Sequence, residues 1–505
     1  MLLALILLPL AGGLVSWALG PVNKAAPKWA SLLCMALQVI LVIAEGMTRA
    51  HGTVAAGQTT WASSIRLDWV PAMGISFHLA LDNMGLLFVM LAAVLGLVSV
   101  LASWKESNAD SGAFYFAMLC AIAAITGVFL AVDLFLFYVF WEIMIVPMYF
   151  LIVLWGGANR ARAAMKFFLF TQAGAVLLLF SLLGLYFVNG AATGHYTFDY
   201  AELLRAPLAA KASPWLMLGF FLAFAVKLGI VPFHGWVPDA YDQAPASVVI
   251  ILSGVMAKTG AYGLIRFCIP LFAPAARSFS SIALVIGIVS VLYGAIMAFS
   301  RSDIKRTIAY GSVSHMGFVV IGIFISSSIS LQGVMLQVLC HGIAVAGIFM
   351  LAGLLSDRLH GNTFAGLGGL WADAPMLCSA FMVFVLALMG IPGFGNFMGE
   401  FLILLDTFRV SPIIAGLGAL AAVFSALYGL KLIEGVVQGK KRATAPCVDL
   451  CAREMATVFV MALLLIALGL FPSTFFKADK AASDSSAVNM PSTPVFSLFS
   501  KGDSP

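Results

Sequence analysis

Long apolar stretches follow one another along the whole chain, and only short polar segments separate them. The cores of these stretches lie near residues 2–19, 30–46, 83–103, 113–131, 134–155, 165–188, 214–232, 246–268, 279–299, 307–326, 331–355, 378–404, 412–433 and 456–472. A helix needs about 20 apolar residues to cross a bilayer, and most of these stretches are close to that length. The pattern predicts an all-α polytopic membrane protein with about fourteen transmembrane helices.

The composition agrees with this pattern. Of the 505 residues, 62% are hydrophobic and only 10% are charged, a balance that excludes an ordinary soluble protein. The longest polar segments are residues 49–78, residues 193–213 and the tail after residue 475, so no soluble domain is predicted. Because no basic segment precedes the first apolar run, we expect an uncleaved first helix rather than a signal peptide.

The distribution of lysine and arginine predicts the orientation. An even number of helices places both termini on one side of the membrane. One set of loops and helix ends holds Lys24, Lys28, Lys105, Arg160, Arg162, Lys166, Arg301, Lys305, Arg306, Arg358, Lys440, Lys441, Arg442 and Arg453, and the opposite set holds Arg49, Arg66, Arg205, Lys211, Arg266, Arg277 and Arg409. This excess of roughly two to one predicts that both termini lie outside the cytoplasm. The same asymmetry accounts for the net charge of +5, so no nucleic-acid partner is implied.

Two apolar stretches carry a proline next to glycine. They read KLGIVPFHGW, from Lys227 to Trp236, and MGIPGFGNFMGEF, from Met389 to Phe401. Proline removes a backbone donor and clashes one turn back, so we predict helix breaks at Pro232 and Pro392. Interrupted helices in corresponding positions of two halves are typical of an ion site in an inverted-repeat transporter. The alternative is two kinks in a glycine-rich bundle.

Four ionisable residues lie in strongly apolar surroundings on four separate predicted helices. They are Glu142, Lys227, Lys258 and Glu400. A charge at the centre of a bilayer costs about 2.5–3.5 kcal/mol on insertion scales, so such residues are functional candidates by default. The alternative is a set of structural ion pairs. Asp82 and Asp133 are instead expected at helix ends.

Two histidines in apolar helices extend this set. The unperturbed pKa of histidine lies near neutrality, which suits proton exchange, although a lone membrane histidine is as often a packed, hydrogen-bonded residue. At about 4 Å and an effective dielectric near 20, an opposite charge contributes about 4 kcal/mol, enough to decide whether a buried lysine keeps its proton. The sequence thus predicts a proton route of the order Glu142, Lys227, Lys258, His315 or His341, and Glu400, with hydroxyls at Ser312, Ser314 and Thr259 as extensions.

No motif for an Fe–S cluster, a haem, a flavin or a nucleotide is present. Cys447 and Cys451 form the sequence CVDLC, but two cysteines without further ligands are a weak metal signal. We therefore expect no metal, no cofactor and no redox chemistry within this chain.

Several runs resemble the antiporter-like subunits of NADH-quinone oxidoreductase, respiratory complex I, and most closely the subunit M family. The runs are FWEIMIVPMYFLI, FAVKLGIVPFHGWVPDAYDQAP, LSGVMAKTGAYGLIRF, DIKRTIAYGSVSHMGF, CHGIAVAG and GIPGFGNFMGEF. The likeness extends over nearly the whole chain. Glu400 is similar to subunit M, whereas subunits L and N usually carry lysine at the matching position.

The resemblance implies an internal organisation of fourteen helices. Residues 1–111 hold helices 1–3, residues 112–270 and 271–436 hold two inverted five-helix repeats, and residues 437–505 hold the last helix and a polar tail. In this pattern Glu142 on helix 5 pairs with Lys227 on broken helix 7, and Lys258 lies on helix 8. His315 and His341 lie on helices 10 and 11, and the outlet residue Glu400 lies on broken helix 12.

The resemblance also implies a function. The chain would be a proton-translocating subunit in the inner membrane of a bacterium, beside the antiporter-like subunits L and N. NADH, FMN, Fe–S clusters and quinone would be bound by other subunits, where the redox reaction takes place. The alternatives are a subunit of a multisubunit Na⁺/H⁺ antiporter, the same module in a membrane-bound hydrogenase, and a purely structural subunit.

Overall fold

A computed structural model of the chain describes residues 1–50, 61, 63–106, 111–206, 208–359, 361–439 and 446–472. Within these ranges, thirteen helical stretches are long and apolar enough to cross a membrane. This confirms the prediction of an all-α polytopic membrane protein. The remaining predicted span, near residues 378–404, is an interrupted helix whose first part is the shorter apolar helix Pro375–Leu388. The expectations for residues 440–442 and for the tail after residue 475 fall outside the described residues.

The structure has twenty α-helices within the described ranges. They are α1 (Leu2–Leu19), α2 (Ala26–Ala50), α3 (Asn83–Ala102), α4 (Gly112–Leu130), α5 (Leu134–Ile143), α6 (Ile145–Trp155), α7 (Arg160–Thr193), α8 (Tyr200–Arg205), α9 (Ser213–Leu228), α10 (Val237–Gln243), α11 (Ala246–Ile251), α12 (Lys258–Gly263), α13 (Ile269–Leu271), α14 (Ala273–Ser300), α15 (Ile304–Ile325), α16 (Ser328–Leu359), α17 (Pro375–Leu388), α18 (Gly395–Val410), α19 (Pro412–Val436) and α20 (Ala452–Leu470). Wider π turns at Leu252–Met256 and Leu264–Cys268 join α11, α12 and α13 into one membrane span.

Part of the polar segment after α2 folds into a hairpin that the hydropathy pattern did not predict. Strand β1 (Ser63–Val70) pairs antiparallel with β2 (Ile75–Leu81). Gly74 forms the turn at φ 64°, and a Cβ on it would lie 2.1 Å from the carbonyl oxygen of Tyr196. Only glycine has both the conformation and the space for this contact.

Aspartates hold the hairpin against the helix ends. The carboxylate of Asp133 accepts hydrogen bonds from the backbone N–H and the hydroxyl of Ser76, at 2.9 and 3.0 Å. His78 Nδ1 lies 2.8 Å from Asp199 Oδ2. Asp82 and Asp133 also cap the first turns of α3 and α5, where they accept from free backbone N–H groups. The prediction that these two aspartates lie at helix ends is therefore confirmed.

Glycines at both interrupted helices adopt conformations that other residues avoid. Helix α9 ends at Leu228, Gly229 follows at φ 77°, and the short helical turn Phe233–Trp236 leads into α10. In the second interruption, Gly390 and Gly393 lie at φ 71° and 105° between α17 and α18. Glycine adopts positive φ at low cost because it has no Cβ, which is why it commonly ends helices. Pro232 and Pro392 lie within these two interruptions.

Helices α14 and α15 pack with their backbones almost in contact. A Cβ on Gly317 would lie 2.6 Å from the carbonyl oxygen of Gly287, and a Cβ on Gly294 would lie 2.5 Å from the backbone nitrogen of Ser314. Small residues permit such close approach between membrane helices. This contact fixes the position of α15, which carries one of the predicted site residues, His315.

We expect Gly317→Val to destabilise the protein, because two added methyl groups force α14 and α15 apart, and overpacking of this kind costs about 1–3 kcal/mol. The measurement is the fraction of chain that stays folded in detergent after graded heating. The matched control is Gly416→Val, because a Cβ at Gly416 meets no atom within 4 Å. Equal losses in both variants would contradict this account of the packing.

Candidate functional site

Four of the six predicted site residues form one buried row. Lys258 Nζ lies 3.0 Å from His341 Nδ1. The rings of His341 and His315 have centroids 5.2 Å apart, and His315 Nδ1 lies 2.6 Å from Glu400 Oε1. The exposed fractions of these four residues are between 0% and 7%. Lysine, two imidazoles and a carboxylate therefore succeed one another across α12, α16, α15 and α18 within the protein interior.

A widened turn of helix precedes the lysine of this row. In the π turn Leu252–Met256, the backbone N–H of Ala257 donates to the carbonyl of Leu252 at 3.1 Å, a spacing of five residues instead of four. Lys258 Nζ donates to the carbonyl of Ser253 at 2.5 Å. Single π turns inside helices are frequent at functional sites. Lys258 thus has two partners, one backbone oxygen and one imidazole.

The histidine next to Glu400 has partners at both ring nitrogens. Beside the contact with Glu400, His315 Nε2 lies 3.0 Å from the hydroxyl of Tyr428. The same Glu400 oxygen also accepts a hydrogen bond from Gln337 Nε2 at 2.8 Å. A neutral imidazole has one donor and one acceptor nitrogen. A ring with partners on both sides can take a proton at one nitrogen and release one at the other.

A glycine lets the carboxylate reach this position. A Cβ on Gly399 would lie 2.7 Å from the backbone nitrogen of Gln337, so α18 approaches α16 to a distance that only glycine permits. Gln337 and His341 lie four residues apart on α16 and hence on the same face of that helix. Glu400 therefore meets a glutamine and a histidine at one interface.

Glu142 and Lys227 form a separate group and do not make the ion pair that the resemblance implies. Glu142 Oε1 accepts hydrogen bonds from the Tyr138 hydroxyl at 2.8 Å and from Gln172 Nε2 at 3.3 Å. Lys227 Nζ is buried, has no hydrogen-bond partner among the described residues, and lies 4.9 Å from the ring centroid of Trp141. A desolvated contact between a cation and an aromatic ring contributes about 2 kcal/mol. Trp141, next to Glu142 in the chain, is therefore the group that the Lys227 ammonium contacts.

The helices that carry the two lysines nevertheless touch. A Cβ on Gly260 would lie 2.6 Å from the carbonyl oxygen of Phe224 and 2.9 Å from the backbone nitrogen of Leu228. Lys227 and Lys258 are thus on neighbouring backbones, α9 and α12, although no direct contact between their side chains is present. The six predicted residues divide into a group of two and a row of four.

The hydrogen-bond partners of these residues were not predicted. Tyr138, the partner of Glu142, lies four residues before it, and Gln337, the partner of Glu400, lies four residues before His341. A polar residue one helical turn from a predicted site residue was therefore an available signal in each case. Gln172 and Tyr428 lie on other helices than the groups they contact. Nothing in the chain order marks them.

Comparison with known proteins identifies the family. Residues 131–426 match the family described as NADH:quinone oxidoreductase/Mrp antiporter, TM. NADH-quinone oxidoreductase subunit M of Pseudomonas aeruginosa is 45% identical over 486 residues, which are 95% of this chain and 96% of that protein. The chain belongs to the NADH-quinone oxidoreductase subunit M family. As a member of that family it is an antiporter-like membrane subunit, and the resemblance read from its sequence is confirmed.

Solved structures support the same fold. A chain of respiratory complex I from Thermus thermophilus superimposes with a TM-score of 0.85 at 29% identity, covering 94% of this chain and 96% of that one. A chain of the Mrp complex from Dietzia sp. superimposes with a TM-score of 0.81 at 20% identity, covering 96% of each chain. The second likeness establishes the fold alone. Both matched chains come from multisubunit membrane complexes.

We expect Glu400→Ala to destabilise this subunit, because it removes the shared acceptor of His315 and Gln337 in a buried place. A buried donor left without its acceptor costs about 1–3 kcal/mol. Glu400→Gln keeps an acceptor oxygen and should cost less. The measurement is the amount of subunit that stays folded after heating.

The matched control for this prediction is Glu434→Ala, since Glu434 is exposed and has no hydrogen-bond or ion-pair partner among the described residues. If Glu400→Ala proved no more destabilising than this control, the row of contacts would not contribute to stability.

Proposed function

We propose that this chain translocates protons across the membrane through Glu142, Lys227, Lys258, His341, His315 and Glu400, driven by electron transfer in other subunits. The observation that carries the proposal is the buried row from Lys258 to Glu400. Four ionisable side chains at this depth, each adjoining the next, are expensive to maintain for structure alone. Their order along the row favours His341 before His315, an order that the sequence left open.

Proton transfer along the row would proceed by exchange at adjacent atoms. The Lys258 ammonium is within hydrogen-bond distance of His341 Nδ1 and would donate its proton there. The next transfer, from ring to ring at a centroid separation of 5.2 Å, requires a rotation of a ring or an intervening water. His315 would then pass a proton from Nδ1 to Glu400 over 2.6 Å. After each transfer, the donor regains its earlier protonation state when the next proton arrives from the group before it.

The separated charges at Glu142 and Lys227 are suited to act as a switch. At an effective dielectric near 20, bringing two opposite charges to about 4 Å gains about 4 kcal/mol, which strongly favours the protonated lysine. Releasing that contact removes the preference. In the present arrangement Tyr138 and Gln172 hold the carboxylate, and Trp141 covers the ammonium. We take this as the open state of the switch, and the paired state as its counterpart.

The proposal places the redox chemistry elsewhere in the complex. NADH, FMN, Fe–S clusters and quinone would be bound by partner subunits, and the neighbouring antiporter-like subunits L and N would adjoin this chain in the bacterial inner membrane. A subunit of a Na⁺/H⁺ antiporter or of a hydrogenase is the weaker candidate, because the likeness to the Mrp complex is one of fold at 20% identity. The subunit M relative is 45% identical over nearly the whole chain.

We expect Lys227→Ala to lower NADH-driven acidification of inverted membrane vesicles by about tenfold or more while the complex still assembles, because a positioned proton donor contributes factors of that size or larger. Glu142→Gln should act in the same direction. Complex assembly is checked on native gels in each variant.

The matched control is Lys211→Ala, since Lys211 is exposed in the loop before α9. Acidification at the wild-type rate in an assembled Lys227→Ala complex would reduce Lys227 to a structural charge and would exclude the proposed route.

The predicted orientation is testable by cysteine labelling. We expect Asn23→Cys to be protected in intact spheroplasts and labelled in inverted vesicles by an impermeant maleimide, because the loop after α1 belongs to the side with the excess of lysine and arginine. Ala192→Cys, near the end of α7, should show the reverse. Both positions are exposed. The opposite pair of results would place the termini in the cytoplasm.

A further inference from the structure

A polar pocket opens on the membrane face that carries the excess of lysine and arginine. Its volume is about 280 Å³, and the ends of α10 and α16, the start of α15 and the loop before α7 contribute to its walls. This space accommodates several water molecules. The charged side chains that line it are Glu106, Asp242, Lys305 and Asp357. We call this space the basic-side pocket.

The carboxylate of Glu106 is suited to exchange protons in this pocket. Its oxygens accept from the backbone N–H and the hydroxyl of Ser247, at 3.1 and 2.5 Å. Burial raises the pKa of Glu106 above its usual range, the bonds from Ser247 oppose that shift, and among the facing charges Asp357 raises and Lys305 lowers the pKa. The pocket is therefore a polar space, large enough for several waters, and its walls carry both positive and negative side chains.

A second, much smaller cavity lies deeper, beside His315. Its volume is about 10 Å³, close to the minimum that holds one water. It is lined by Ile308, Gly311, Ser312, His315, Leu388, Tyr428 and Leu432. The hydroxyl of Tyr428 is the group that lies 3.0 Å from His315 Nε2. A water in this cavity would therefore adjoin His315 and Tyr428.

The two cavities lie along one face of α15. Lys305 lines the basic-side pocket, and Ile308, Ser312 and His315 line the small cavity. Spacings of three, seven and ten residues place these side chains on the same side of a helix. The distance from Lys305 to His315 is about 15 Å at a rise of 1.5 Å per residue. Ile308, an apolar residue of the small-cavity lining, follows Lys305 and precedes Ser312 along this face of the helix.

We propose that the basic-side pocket and the small cavity form a proton inlet that reaches the buried row at His315, along the face of α15 formed by Lys305, Ile308 and Ser312. The inlet rests on the proposed function, to which it adds a second point of access beside the Glu142 and Lys227 group. In this inlet Ile308 acts as the apolar gate, because it is the apolar residue between Lys305 and Ser312 on that face of α15.

The proton exchange at the inner end balances. A hydrated proton in the small cavity gives its proton to the hydroxyl oxygen of Tyr428, which gives its own proton to His315 Nε2. His315 then releases the proton on Nδ1 to Glu400. One proton arrives and one leaves, and Tyr428 ends in its original state. A return of His315 to its starting tautomer, by ring rotation or by proton exchange, prepares the next cycle.

The test is the access of a water-sized thiol reagent, Ag⁺, to single cysteines in the assembled complex in inverted vesicles. After exposure to Ag⁺ and solubilisation, maleimide labelling at each position is read by mass spectrometry, so that the native cysteines do not interfere. Lys305→Cys marks the mouth and Ser312→Cys the inner cavity. Ser314→Cys is the matched control, because Ser314 lies on another face of α15 and donates to the carbonyl of Val291 at 2.8 Å.

We expect Ag⁺ to protect position 305 quickly, position 312 more slowly, and position 314 at least about tenfold more slowly than position 312, since only the first two adjoin a water-sized space. Protection of position 312 no faster than position 314 would overturn the inlet. This readout is independent of pumping, so it separates a failure of the inlet from a failure of the proposed function, which Lys227→Ala tests.

A pair of variants tests whether protons use the inlet. Ser312→Leu fills the small cavity and should lower NADH-driven acidification by about tenfold, in line with the loss of a proton-transfer path. Ser300→Leu is the matched control and should pump normally, because Ser300 is exposed at the end of α14 and its hydroxyl donates to the carbonyl of Met297 in its own helix at 2.8 Å. Normal pumping by an assembled Ser312→Leu complex would overturn the inlet.

Discussion

The row of ionisable groups from Lys258 to Glu400 depends on one constraint: burying a charge in the low-dielectric interior is costly unless a nearby partner compensates for the lost water. Helices of ordinary side-chain bulk keep their backbones too far apart for short contacts between all four groups. Glycine relaxes that limit where it matters. Gly399 lets α18 approach Gln337 on α16, and Gly317 lets α15 lie against α14. Close backbone packing is therefore what brings these polar groups together inside an apolar bundle.

The interrupted helices bring backbone turns and ionisable groups to the same depth. Glycines at positive φ end α9 directly after Lys227 and separate α17 from α18 shortly before Glu400. The π turn before Lys258 is a milder form of the same device, since it leaves a backbone carbonyl oriented toward the ammonium group. The π turn Leu252–Met256 is buried in protein throughout, which is the setting in which irregular backbone is tolerated within a membrane. The proposed route thus passes close to the two helix interruptions and the π turn.

The group of Glu142 and Lys227 differs from the row because its two charged side chains do not contact each other. The Glu142 carboxylate accepts from two neutral donors and the Lys227 ammonium contacts an aromatic ring, so the two charges are not paired with each other. A small movement of α5 against α9 changes their separation and hence their attraction, which varies steeply at low dielectric. The row from Lys258 to Glu400 has short contacts at both ends and is better suited to conduct than to switch.

The sequence by itself determined the membrane class, nearly all of the spans and the two helix interruptions, and it marked six ionisable residues as candidates, because apolar length and an isolated charge within it are local properties of the chain. It did not determine the hairpin from Ser63 to Leu81, which lies in a segment that only its polarity marked. It also implied an ion pair between Glu142 and Lys227 that the structure does not form, and it missed Tyr428, which contacts His315 from a helix more than a hundred residues away. Which polar groups meet depends on how helices distant in sequence rotate and approach, and only tertiary packing decides that.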